Sequence, residues 1–176
     1  MSSSKNVYKL VLAGMFLALA MVLPLLTGQI PQIGKMLSPM HIPVLLCGFF
    51  CGPWYGLVVG AIAPLLRGLI FGMPALFPNG VIMCFELATY GLVSGFLYKL
   101  LPKKIPYIFV TLIAAMLAGR VVWGIASAIV YGITKAEFGW QAFMAGAFIN
   151  AVPGIILHII LIPVIVIALR KYTAKD

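Results

Sequence analysis

Long apolar runs fill this chain, and short polar or proline-containing segments separate them. Such runs are typical of helices that cross a bilayer, because a helix rising about 1.5 Å per residue needs about 20 residues to span the hydrocarbon core. The pattern predicts an all-α integral membrane protein, a bundle of six transmembrane helices in one domain over residues 1–176. The expected bounds are roughly 8–28, 42–52, 54–72, 80–100, 107–133 and 142–169.

The second run is much too short to cross a bilayer upright. Pro43 and Pro53 bracket it, and Gly52 with Pro53 ends it sharply. It is either a short crossing helix or one leg of a re-entrant hairpin with the third run. The first case gives six crossings and the second gives four, and both place the two termini on the same side.

The basic residues fix the orientation that we expect. Most lie beside the ends of apolar runs, on one side of the membrane if the chain crosses six times, and the positive-inside rule makes that side cytoplasmic. We therefore predict six crossings with both termini in the cytoplasm, although charge also permits four. These residues are Lys5, Lys9, Lys99, Lys103, Lys104, Arg170, Lys171 and Lys175.

Composition narrows the function further. Hydrophobic residues make up 64% of the chain and charged residues only 9%. The net charge of +9 follows the membrane pattern, so we expect no nucleic-acid partner. The cysteines Cys47, Cys51 and Cys84 lie in apolar runs without histidine or acidic neighbours, which favours packing over a metal site. No soluble nucleotide-binding module is visible, so we expect no cofactor here and any ATP to be used by partner subunits.

Four ionisable residues lie inside the apolar runs: Arg67, Glu86, Arg120 and His158. A charge at membrane depth is costly and is kept mainly where it faces a partner or a polar cavity. Arg67 and Glu86 are expected roughly 6–10 Å below the outer ends of their helices, where they form an ion pair or share a ligand. Arg120 is expected near mid-membrane without an obvious carboxylate partner, and His158 somewhat deeper. Two arginines against one glutamate leave an excess positive charge that an anionic ligand would balance.

Polar and aromatic residues follow a helical spacing in the outer halves of three predicted helices. Three such stripes facing one another would line a pocket that opens to the outside. The stripes are Asn79, Met83, Glu86 and Tyr90 on the fourth helix, Arg120, Trp123, Ser127 and Tyr131 on the fifth, and Asn150, Gly154 and His158 on the sixth.

Two further segments are candidates for a role in binding. The outer loop 29–41, which ends at His41, is long for so compact a protein, and loops of this kind are often lids. On the first helix, Gly14 and Ala18 form a small-xxx-small pair that lets another helix approach closely. That face either packs internally or docks a partner subunit.

The run Met40–Gly56, with Ile42-Pro43, Gly48, Gly52-Pro53 and Gly56, resembles the second-helix segment of a transporter family. The family comprises the substrate-binding S components of energy-coupling factor (ECF) vitamin transporters. Chain length, six spans, a long first outer loop and basic cytoplasmic ends agree over essentially the whole chain.

The resemblance implies a cell-membrane protein that binds a vitamin at its outer face and docks on a coupling subunit and two ATPases. The family usually docks through Ala-x-x-x-Ala on the first helix, where this chain has Gly14 and Ala18. Its ligand pocket draws on the first loop and on the outer parts of helices four to six. The excess buried arginine favours a carboxylate-bearing vitamin such as pantothenate.

Two other classes of function are alternatives. A membrane enzyme would need paired carboxylates, a metal cluster or an activated nucleophile, and the residues offer none of these patterns. A stand-alone proton-coupled secondary carrier or exporter is the main alternative, with Glu86 as a proton site.

Overall fold

The computed structural model describes residues 2–27, 37–133 and 151–173, and in those ranges the chain is helical and has no strand. The all-helical prediction is confirmed for this part of the chain. The predicted stretch 142–150 lies outside it. Within these ranges there are six α-helices: α1 (Ser2–Val22), α2 (His41–Cys51), α3 (Pro53–Phe71), α4 (Val81–Leu100), α5 (Ile105–Ile133) and α6 (Val152–Thr173).

Five stretches of the described residues, which overlap α1 and α3 to α6, are long and apolar enough to cross a membrane. The helix α2 has 11 residues, which gives a length of about 16 Å, roughly half of the hydrocarbon core. By contrast, α5 has 29 residues and is about 43 Å long, more than the core requires. The helices of this bundle therefore differ greatly in the depth that they cover.

The sharp turn between α2 and α3 follows from its sequence. Gly52 has φ 99°, a conformation that side-chain-bearing residues rarely adopt. Pro53 then occupies the first position of α3, where its missing N–H leaves no helical bond unmade. Gly72, with φ 70°, ends α3 as a left-handed cap.

Glycines bring α3 and α4 into backbone contact. Gly56 faces Gly91, and a Cβ atom on either residue would overlap the backbone of the other. Gly60 meets the backbone of Leu87 in the same way. These pairs fix the antiparallel register of the two helices, because each step along α3 is matched by one step back along α4.

The short helix α2 packs on the same part of α4. A Cβ atom on Gly48 would overlap the hydroxyl of Ser94 and the backbone of Gly91. The Ser94 hydroxyl lies 3.4 Å from the carbonyl oxygen of Leu45, to which it donates. The helix α4 is thus the centre of the bundle, with α2, α3 and α5 against it.

One end of the bundle carries lysines and is called the basic end below. There the Tyr55 hydroxyl donates to the carbonyl oxygen of Asn6 at 3.5 Å. The Lys103 amine lies 4.2 Å from the centroid of the Tyr98 ring. The start of α1, the turn at Gly52 and the turn 101–104 therefore lie at this end, and the opposite end is called the far end.

Candidate functional site

A buried carboxylate, that of Glu86 on α4, is the centre of a polar cluster. The guanidinium Nη1 of Arg120 on α5 lies 3.0 Å from Glu86 Oε1. The Tyr90 hydroxyl, one helical turn along α4, donates to the same oxygen at 3.0 Å. Glu86 is 2% exposed and Tyr90 is 1% exposed, so both groups are removed from solvent and lipid. A buried charge pair is retained where both partners are hydrogen-bonded, and this one has that property.

Two histidines complete the cluster. His41, the first residue of α2, places Nε2 at 3.6 Å from Glu86 Oε1, slightly beyond hydrogen-bonding distance. Its ring centroid lies 5.2 Å from that of Tyr90 and 6.0 Å from that of His158 on α6. His158 is also hydrogen-bonded to the backbone of Ser38. The cluster therefore joins α2, α4, α5 and α6, and the N-terminus of α2 adds to the stabilisation of the Glu86 carboxylate.

The pairing of Glu86 with Arg120 follows from the turn that joins their helices. Glu86 lies 14 residues before the end of α4, and Arg120 lies 15 residues after the start of α5. Both are therefore about 22 Å from the turn 101–104. The expectation that Arg120 lacks a carboxylate partner is wrong. Since α5 extends well past the far end of α4, residues at equal distances from the far ends of the two helices are not level with each other.

Arg67 has a different role from the one that the sequence suggested. Its Nη1 donates to the carbonyl oxygen of Met21 at 2.6 Å, and its guanidinium lies 5.0 Å from the centroid of the Phe71 ring. The predicted ion pair between Arg67 and Glu86 is therefore wrong. In the register that the glycines fix, Arg67 lies six residues, about 9 Å, closer to the far end than Glu86.

This pairing also changes the charge balance of the site. Glu86 neutralises Arg120, and the remaining buried arginine is bound to the last turn of α1. The excess positive charge that favoured a carboxylate-bearing ligand is thus not located in the cluster. Among the described residues, the centre is a balanced pair with two imidazoles beside it.

Several atoms of the cluster are buried but have no hydrogen-bond partner among the described residues. An unpaired buried polar atom costs about 1–3 kcal/mol, so a group of them at one place calls for an explanation. In the cluster they are Nδ1 and Nε2 of His41, Nε of Arg120 and Nε2 of His158. Elsewhere on α5, Oγ of Ser127 and Oγ1 of Thr111 are also buried without a partner among the described residues.

The stripe on α5 leads from this centre toward the far end. Trp123 is half-buried one turn beyond Arg120, and Ser127 is fully buried one turn further. At the rim, the Tyr131 hydroxyl donates to Oδ1 of Asn79 at 3.3 Å, which ties α5 to the turn before α4. The predicted stripes of α4 and α5 therefore face each other. Asn150 and residues 29–36, which are most of the predicted lid, lie outside the described residues.

The predicted docking pair faces away from the bundle. Gly14 and Ala18 are exposed, and no heavy atom lies within 4 Å of the position that a Cβ on Gly14 would take. Exposed apolar side chains flank them on α1, including Val11, Met15 and Val22. This face is open to lipid or to another helix.

The sequence also matches a known protein family. Residues 8–166 match the family model described as the ECF transporter, substrate-specific component. The match covers most of the chain, so this protein belongs to that family and is a multi-pass membrane subunit of an ECF transporter. Comparisons with curated proteins and with solved structures gave no match.

Proposed function

We propose that this subunit binds a vitamin or a related small micronutrient tightly, in the centre formed by Glu86, Arg120 and their neighbours. The observation that carries the proposal is the set of buried, unpartnered donors and acceptors around one ion pair. A small polar molecule that donated to and accepted from those atoms would form the hydrogen bonds that the described residues leave unmade. The residues assigned to the site are His41, Asn79, Glu86, Tyr90, Arg120, Trp123, Ser127, Tyr131, Asn150 and His158.

Arg67 is not included in that set. Its guanidinium is engaged by the Met21 carbonyl and by the Phe71 ring. We assign it to holding the last turn of α1 against α3, which fixes the point where the chain leaves α1 for the segment before His41.

The proposed topology has six crossings, with both termini in the cytoplasm and the site reached from outside. The shared basic end of α1, α3 and α4 supports it, because lysines favour the cytoplasmic side. In this topology α2 spans only the cytoplasmic half of the membrane. A helix that starts in mid-membrane is tolerated when its free N–H groups face a polar, protein-lined site.

The proposed partners are a transmembrane coupling subunit and two ATPase subunits, which use the ATP. The chain offers α1 for docking, since Gly14 leaves room for a close approach and faces outward. Replacing Gly14 by leucine is expected to leave substrate binding within about twofold of the wild type and to reduce uptake at least about tenfold. Uptake equal to that of the wild type would mean that the coupling subunit does not dock on this face of α1.

The proposal is tested by mass spectrometry of the small molecules retained by the purified protein, together with an uptake assay. We expect a retained micronutrient, and accumulation of it in cells only when the coupling subunit and ATPases are co-expressed. Uptake into vesicles that contain this protein alone, driven by a proton gradient, would support the secondary-carrier alternative instead.

A further inference from the structure

The charge balance of the centre constrains the kind of molecule that it accepts. Arg120 and Glu86 neutralise each other at 3.0 Å, with 12% and 3% of their side chains exposed. A ligand with a net charge would leave an uncompensated charge in a medium of low dielectric constant, whereas a neutral ligand would not. An uncharged His41 can offer one donor and one acceptor, whereas His158, which is hydrogen-bonded to the backbone of Ser38, has only Nε2 left to offer.

The contacts of Glu86 also leave it able to receive a further donor. Tyr90 and Arg120 both approach Oε1. A carboxylate has about four acceptor positions on its two oxygens, so Oε2 retains capacity for an N–H or O–H group. Next to it, the buried Nε–H of Arg120 is a donor without a partner among the described residues.

We propose that this site selects a neutral molecule which presents an N–H or O–H donor to Glu86 beside an acceptor for Arg120. The inference rests on the proposed function and adds the class of substrate to it. It differs from the expectation of a carboxylate-bearing vitamin. Arg120, which would have bound the carboxylate of the vitamin, is already paired with the carboxylate of Glu86.

The histidines favour this assignment over an anion held by imidazolium groups. Among the described residues, the charged groups that face His41 are Glu86 at 3.6 Å and, across that carboxylate, Arg120. His158 stacks on His41 and is hydrogen-bonded to backbone, with no carboxylate partner of its own in the described part of the chain. One carboxylate shared with an arginine does not supply charge for two imidazolium groups as well.

The test uses matched probes that differ by one ionised carboxylate. The pairs are nicotinamide with nicotinate, pyridoxine with 4-pyridoxate, and biotinamide with biotin, each titrated calorimetrically into the purified full-length protein at pH 7. We expect the neutral member of a bound pair to have a Kd at least about tenfold lower than the anionic member.

Two variants that each remove one charge should reverse or strengthen that preference. Glu86→Gln gives the centre one positive charge, so the anionic member should gain at least about tenfold relative to the neutral one. Arg120→Gln gives it one negative charge and should weaken anion binding further. Arg67→Met is the matched control, since it removes a buried arginine bound to the Met21 carbonyl and should leave the ratio within about twofold.

The outcomes separate this inference from the proposed function. Tighter binding of the anionic members by the wild type overturns the proposal that the substrate is neutral, but not the proposed function. So does a preference that Glu86→Gln does not change, even if the neutral members bind best. Absence of heat with every probe, together with no small molecule retained from rich medium, overturns both. If a variant does not fold, the ratio of the two Kd values for the wild type is sufficient to test the inference.

Discussion

The half of the bundle near the basic end and the centre at Glu86 are built in opposite ways. In the basic half, glycines bring α2, α3 and α4 into backbone contact, and the side chains around them are apolar. At the centre, long polar side chains from α2, α4, α5 and α6 meet, and several of their atoms lack partners among the described residues. A tightly packed half can hold neighbouring groups in position even when their hydrogen bonds are incomplete. The glycine contacts therefore stabilise the fold, and the polar centre is the part suited to recognising a ligand.

The largest effect on stability should come from placing a side chain in the contact between Gly56 and Gly91. In Gly91→Leu the side chain would overlap the backbone of Gly56, so α3 and α4 must separate. We expect a loss of about 3 kcal/mol or more in unfolding free energy, and little folded protein. Gly14→Leu is the control, because the position has open space. Thermal unfolding in detergent measures both, and equal midpoints would show that the glycine contact is not what holds this half together.

The next effect should come from breaking the ion pair. Glu86→Gln leaves the Arg120 guanidinium buried without its countercharge, and we expect about 2–4 kcal/mol of destabilisation. The double variant Glu86→Gln/Arg120→Gln removes both charges and should recover most of that loss. Double-mutant-cycle analysis of the unfolding midpoints tests this coupling. Additive effects would mean that the pair does not exist in the folded protein.

A smaller effect is expected at the second buried arginine. Arg67→Met removes a charged hydrogen bond to the Met21 carbonyl but keeps much of the packing volume. We expect about 1.5–3 kcal/mol of destabilisation, with substrate affinity within about threefold of the wild type. Unfolding midpoints and a calorimetric titration give the two values. A folded variant that has lost binding would place Arg67 in the site after all.

The smallest effect should come from Tyr90→Phe. It deletes one of the hydrogen bonds to Glu86 Oε1 and leaves the ring between His41 and Gly119. We expect about 0.5–1.5 kcal/mol of lost stability and a modest loss of affinity, roughly threefold to tenfold. Leu87→Ala, next to the site residue but pointing into the apolar core, is a useful comparison: it should cost more stability and less affinity.

Much of the helical architecture could be predicted because apolar runs and glycine–proline breaks are local signals. The all-α class and the turn at Gly52 are of this kind. The residues of the centre could also be found, since a charge in an apolar run is conspicuous wherever it lies. Glu86, Arg120 and His158 are of this kind, whereas His41 stands out only as the last residue of the predicted outer loop.

The pairing within the centre was not predicted, and the reason is geometric. Depth was counted from the ends of the helices, but α5 is much longer than α4 and its far end is not level with its neighbour's. Counting from the short turn 101–104 would have placed Glu86 and Arg120 opposite each other. The register of α3 against α4 depends on Gly56 and Gly91 in contact, which spacing along one helix does not reveal.

The most direct test compares the molecules retained by three purified proteins: the wild type, Glu86→Gln/Arg120→Gln and Arg67→Met. Each is analysed by quantitative mass spectrometry after confirmation that it is folded. The account predicts that the wild type and Arg67→Met retain the same small molecule in similar amounts, and that the double variant retains none. Retention by the double variant, or its loss in a folded Arg67→Met, would contradict the assignment of binding to the Glu86–Arg120 centre.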